Sequence, residues 1–87
     1  MAEHAVFKAY KSYQWIVQDP RLLGGNLAVR GTRLPVMLIL DCLAGGWTLA
    51  DIEREYEGWP RDSLPEIFAV ASELAEAAAL PHRGDVA

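Results

Sequence analysis

Between residues 20 and 65, prolines and glycines never leave more than 11 consecutive positions free. Proline removes an amide donor and glycine weakens any regular element, so the middle of the chain is cut into short pieces. Pro20, Gly24-Gly25, Gly31, Pro35, Gly45-Gly46, Gly58 and Pro60 each mark a break. Downstream of Pro20, only the stretch between Pro65 and Pro81 can carry a long helix. The chain has 87 residues, of which 52% are hydrophobic and 23% charged. That length makes one small domain, and that composition supports a core rather than disorder. The longest apolar run, residues 34–40, is far short of the ~20 residues that span a bilayer. The opening MAEHAVFKAY lacks the basic leader and apolar block of a secretory signal, and the single Cys42 excludes an intramolecular disulfide. A soluble cytoplasmic protein with no membrane segment is expected.

Tyr13, Trp15 and Val17 alternate with Gln14 and Gln18, which predicts a strand over 13–18. Asp19-Pro20 and Gly24-Gly25-Asn26 are turn signals, and Leu27-Ala28-Val29-Arg30 reads as a second strand over 27–30. Pro35 suits the first turn of a helix whose stripe is Val36, Ile39, Leu40 and Leu43, ended by Gly45-Gly46. Thr48 and Asp51 form a capping pattern for a second helix, with Trp47 and Ile52 spaced as a hydrophobic staple. Leu49, Ile52 and Tyr56 face inward, and Gly58 and Pro60 end it. Ser63 and Glu66 are spaced as a capping box for a third helix, with the stripe Ile67, Val70, Ala71, Leu74 and Ala78. The expected architecture is mainly α: a three-helix helix-turn-helix domain over 13–80, preceded by a short β-hairpin. Residues 1–12 form an N-terminal arm and 81–87 a tail.

Catalysis has little to work with. His4 and His82 lie near opposite ends, no Cys/His cluster offers metal ligands, and Cys42 beside the buried stripe reads as a small core residue. Neither an enzyme nor a cofactor is expected. Glu53, Glu55 and Glu57 are spaced around a helix and read as solvated surface, and the glycines lack the lysine and spacing of a phosphate loop. Trp47 and Trp59 read as staples and core lids. Charge is the more telling feature. Residues 1–45 hold five basic and three acidic groups, a net of +2, whereas residues 46–87 hold three basic and nine acidic groups, a net of −6. Any nucleic-acid contact is expected in the first half. The segment Lys8, Tyr10, Lys11, Tyr13 is either an arm along phosphates or a strand with two solvated lysines. Arg30 and Arg33, flanking Gly31-Thr32, either hold that turn or present a pair of cations to phosphate or to a partner's carboxylates. The third helix carries Glu66, Glu73 and Glu76 and no Lys or Arg between Ser63 and Ala79, which argues against its reading the major groove.

The stretch Asp19-Pro20-Arg21-Leu22-Leu23-Gly24-Gly25-Asn26, followed by Val29-Arg30-Gly31-Thr32-Arg33-Leu34-Pro35-Val36, resembles the hallmark of a family of short bacterial and archaeal proteins catalogued as domain of unknown function 433. Gly46, Ile52, Tyr56, Ser63, Glu66 and Ile67 fit its later part, so the resemblance covers about residues 15–76. It departs at Asn26-Leu27, where Lys-Pro is common, at the longer Tyr56–Ser63 connection, and in its short tail. The resemblance implies a homeodomain-like fold and a VapB-type antitoxin that neutralises a PIN-like ribonuclease toxin and represses the shared operon. A homodimer is expected beside it, since dimerisation would bury surplus apolar surface and match a palindromic operator, and the charge reading makes Lys8, Lys11, Arg30 and Arg33 the candidate DNA contacts. Arg83, Arg30 and Arg33 are candidates for insertion into the acidic metal cluster of such a toxin. The competing readings are a stand-alone regulator and a protein-interaction module with no DNA role.

Overall fold

The computed structural model describes residues 6–79. In chain order the elements are β1 (Ile16–Val17), β2 (Ala28–Val29), α1 (Val36–Ala44), α2 (Leu49–Glu55) and α3 (Leu64–Ala77). Three helices thus follow a short antiparallel two-stranded sheet, with single-turn helices at Leu23–Gly25 and Arg61–Ser63. The strands pair within one chain, Ile16 opposite Val29 and Val17 opposite Ala28.

Two-residue strands have no independent stability, so packing holds them. Adjacent strand residues point to opposite faces, and both faces are covered. Ile16 and Val29 join Val36, Ile39, Cys42, Ile52, Trp59, Ile67 and Val70 in the main core. Val17 and Ala28 join Leu22 in a smaller cluster roofed by Phe7 and Leu23. Each fully buried Ile, Val or Leu contributes about 1.5–3 kcal/mol of transfer free energy.

The described part of the expected N-terminal arm is not loose. Ala9 bridges Val17, the Tyr10 amide donates to the Ile16 carbonyl and the Gln18 amide donates to the Lys8 carbonyl. The outer backbone groups of β1 would otherwise lack partners, and residues 8–10 supply them. On the other side Ala28 bridges Pro35, which leads directly into α1 as its N-cap.

Gly46, at φ 92°, ends α1, a conformation that only glycine adopts without strain. The Thr48–Asp51 capping box of α2 forms in both directions. The Ser63–Glu66 box does not. Ser63 is helical and its hydroxyl donates to the Pro60 carbonyl, while Glu66 is engaged elsewhere. Trp47 does not serve as a buried staple either: it is 37% exposed and stacks on Tyr56. Trp59, in the lengthened connection, is a core residue. Leu74, expected inside, is 49% exposed, because α3 runs on beyond Val70, the last buried position of its stripe.

Candidate functional site

The N-terminal turn and α3 are joined by a clamp. Glu66 and Glu73 stand two helical turns apart, so both carboxylates project from one side of α3. Glu66 accepts hydrogen bonds from the Trp15 amide at 2.5 Å and the Gln14 amide at 3.0 Å. Glu73 accepts from the Tyr13 hydroxyl at 2.5 Å and from the Lys11 ammonium at 3.2 Å. The Tyr13 hydrogen bond, then Lys11, holds the Glu73 carboxyl below its usual range. The same hydrogen bond pushes the Tyr13 phenol up to about 12. Lys11 is raised by Glu73 in turn and lies 5.4 Å from the centre of the Tyr10 ring, which stacks on Tyr13.

This clamp decides the fate of the basic residues expected to meet DNA. Lys11 is ion-paired to Glu73. Arg30 donates its Nε–H to the Gln14 carbonyl, which ties the end of β2 to the segment before β1 rather than holding the Gly31-Thr32 turn. Lys8 and Arg33 are exposed, and neither side chain makes a hydrogen bond or ion pair among the described residues. Lys8 lies beside the Gln18 end of β1 and Arg30 beside the Trp15 end, so the basic groups do not form one cluster. Lys8 and Lys11 do border a shared cleft of about 450 Å³ with Tyr10, Gln18 and Gly25. Arg83, His4 and His82 lie outside the described residues.

The Asp19-Pro20-Arg21 motif is structural. The buried Asp19 carboxylate accepts from the Lys8 and Arg21 amides and takes both Nε and an Nη of Arg21. The Arg21 hydrogen bonds hold Asp19 far below the ordinary carboxylate range. Arg21 also covers the Phe7 ring at 5.2 Å. Thr32 of the Gly-Thr-Arg motif plays a comparable part: its hydroxyl donates to the Val29 carbonyl and accepts from the Leu34 amide, fixing the turn into α1.

The largest departure from expectation is apolar. Asn26, Leu27, Pro35, Val36, Met37, Leu40 and Leu74 line a groove of about 360 Å³ between α1 and α3. Met37 is 62% exposed, Leu74 49% and nearby in sequence Phe68 50%. The rest of the exposed surface of α3 is made by Pro65, Ala69, Ser72, Ala75, Glu76 and Ala77, with no cation. Periodicity alone assigned Leu74 to the core. The signal that could have exposed the error is length, since α3 outruns the shorter elements available to cover it. Among the described residues no group of three or more His, Cys, Asp or Glu could hold a metal, and no helix is long and apolar enough to cross a membrane.

Comparison with known proteins places these features. The uncharacterized protein y4eO of Sinorhizobium fredii (strain NBRC 101917 / NGR234) is 36% identical over 64 residues, covering 68% of this chain and 28% of that protein. The chain therefore aligns to under a third of that relative's length. No solved structure matches. The family profile described as protein of unknown function (DUF433) matches residues 16–69, from β1 through the motif of Asp19, Gly31 and Pro35 to the first half of α3, and the chain belongs to that family.

Proposed function

We propose that this chain is an antitoxin-type regulator with a homeodomain-like helix-turn-helix domain, which acts in the cytoplasm as a homodimer by binding a PIN-like ribonuclease toxin. The apolar groove between α1 and α3 carries the reading, because Met37 and Leu74 stand half-exposed or more beside Leu27, Pro35 and Leu40. A contiguous apolar patch rimmed by polar groups is characteristic of a protein-binding surface. The test is co-expression with candidate PIN-like nucleases from the same genome. The wild-type chain should rescue growth and co-purify with the nuclease. Met37→Asp and Leu74→Asp should abolish both while leaving the circular dichroism spectrum unchanged, since Met37 is 62% and Leu74 49% exposed. Full rescue by both variants would refute the groove's role.

Operator binding belongs to the same proposal and falls to Lys8 and Arg33, the exposed cations without a partner among the described residues. Each phosphate contact steepens the slope of log K against log salt by about 0.9. Lys8→Ala and Arg33→Ala should each flatten it by about that amount. The engagement of Lys11 and Arg30 within the fold favours the second reading, a protein-interaction module with no DNA role. Salt-independent or absent DNA binding at low ionic strength would select it.

A further inference from the structure

A second surface lies away from the groove, where α1 turns into α2. Gly45, Gly46, Trp47, Asp51, Arg54 and Glu55 line an open cleft of about 310 Å³. Trp47 leans on the half-buried Tyr56, with ring centres 6.4 Å apart and planes 15° from parallel. Even so, 37% of the Trp47 residue meets solvent. Exposed tryptophan braced by a second aromatic ring is the kind of rigid anchor that protein interfaces use.

The charges around this ring favour a cation. Asp51 is committed: it accepts from the Thr48 amide and from the Arg54 guanidinium. Glu53 is committed to both Nε and Nη2 of Arg61. Glu55 borders the cleft and has no hydrogen-bond or ion-pair partner among the described residues. Since Asp51 and Arg54 cancel, the cleft keeps one net negative charge. The last turn of α1 adds to it. This turn contains no basic residue, and the Gly45, Gly46 and Trp47 amides satisfy the carbonyls of Asp41, Cys42 and Leu43 but not that of Ala44. A helix C-terminus carries roughly half a negative charge. Gly45 and Gly46 leave this end of the helix bare of side chains.

We infer that the Trp47–Glu55 cleft is a docking site for an arginine side chain of a partner polypeptide. An aromatic face, an unpaired carboxylate and a helix C-terminus converge there. A guanidinium can stack on the indole and fork onto the carboxylate at once, which the compact lysine ammonium cannot do. This inference concerns a surface separate from the α1–α3 groove and stands or falls independently of the antitoxin reading.

The test is a titration of the full ¹⁵N-labelled chain with Nα-acetyl-arginine amide, followed at the three tryptophan indole N–H resonances. The neutral isostere Nα-acetyl-citrulline amide serves as control, and Trp47→Phe assigns the Trp47 signal. The Trp47 resonance should move and saturate with arginine and stay still with citrulline. Glu55→Gln should weaken the effect about two- to fivefold, as expected for an exposed ion pair. Arg54→Gln should strengthen it, because it removes the one competing cation. Both variants change solvated side chains, so each keeps the fold and tests the cleft alone. Equal shifts with citrulline, or an unaltered response in Glu55→Gln, would overturn the inference.

Discussion

Replacing Glu66 by alanine probes the clamp directly. The substitution removes two acceptor contacts, to the exposed amide of Gln14 and the part-buried amide of Trp15. A hydrogen bond to a charged group is worth about 1.5–3 kcal/mol net when it is sheltered. Water replaces the bond at Gln14 with little loss, so most of the cost arises at Trp15. The total is about 1.5–2.5 kcal/mol. At roughly 4–8 °C per kcal/mol for a domain of this size, the melting temperature should fall by roughly 6–20 °C. Thermal melts followed by circular dichroism measure this, and hydrogen exchange at the Trp15 amide localises it. Glu76→Ala is the internal control: it lies on the same helix, exposed and without a partner among the described residues, and should stay within about 0.5 kcal/mol of wild type. Glu66→Gln keeps one acceptor oxygen but turns an amide group toward the other N–H, so it should recover no more than half of the loss. If Glu66→Ala melts with Glu76→Ala and protection at Trp15 is unchanged, the glutamates of α3 do not hold the N-terminal turn.

Ile52→Ala, at a fully buried position that joins α2 to the core, should cost about 2–5 kcal/mol in urea unfolding, a large share of the stability of so small a domain. Gly46→Ala should cost about 1–2 kcal/mol because φ there is 92°, whereas Gly45→Ala, where φ is −84°, should be close to neutral by the same assay. Asp19, Asp51, Glu53 and Glu73 are all held below their ordinary values, by Arg21, by the Thr48 amide, by Arg61 and by Tyr13 respectively. The unfolded chain therefore binds more protons in acid, and denaturant midpoints should be level above the ordinary values of 3.8 and 4.5 and drop as pH falls through the depressed ones. At the other extreme Tyr13 is raised to about 12, so its contribution is whole below the unfolded value of 10.0 and disappears as pH rises through the folded one. Tyrosinate absorbance should show one late-ionising phenol that is absent in Tyr13→Phe.

The order of elements could be read from the chain because punctuation is local chemistry. Pro35, Gly46 and the Thr48–Asp51 pair act on their own neighbours, and each bounds a helix in the structure. The strands were legible as alternation, although only residues 16–17 and 28–29 form ladders. What could not be read was any feature that depends on residues 50 or more positions apart. Glu66 was spaced like a capping box, and locally that is the natural partner. Two amides on the N-terminal turn, 51 and 52 residues away, engage it instead. Lys11 looked like a phosphate contact because its partner, Glu73, is 62 residues distant. Trp47 was a staple by spacing and a surface platform in space. Asp19 and Thr32 stood within a recognisable motif, yet only the structure shows that their task is to hold loops rather than to bind.

The uneven charge of the chain takes on a different meaning once folded. A basic first half and an acidic second half placed any nucleic-acid contact in the first half. In the structure the two halves meet, and Glu66 and Glu73 face the turn around Lys11 and Tyr13 rather than a ligand. The consequence is mechanical. Leu74, on the apolar groove, directly follows Glu73, so the clamp and one wall of the groove ride on the same turn of α3. The two surfaces are coupled if a protein that grips Leu74 favours the position of α3 in which Glu73 reaches Tyr13. By linkage, breaking the Glu73 contacts would then weaken that protein's binding by the coupling free energy between the two sites. Tyr13→Phe removes a hydroxyl that never touches the groove. A loss of partner affinity in that variant, with the groove residues intact, would distinguish a coupled surface from two independent ones.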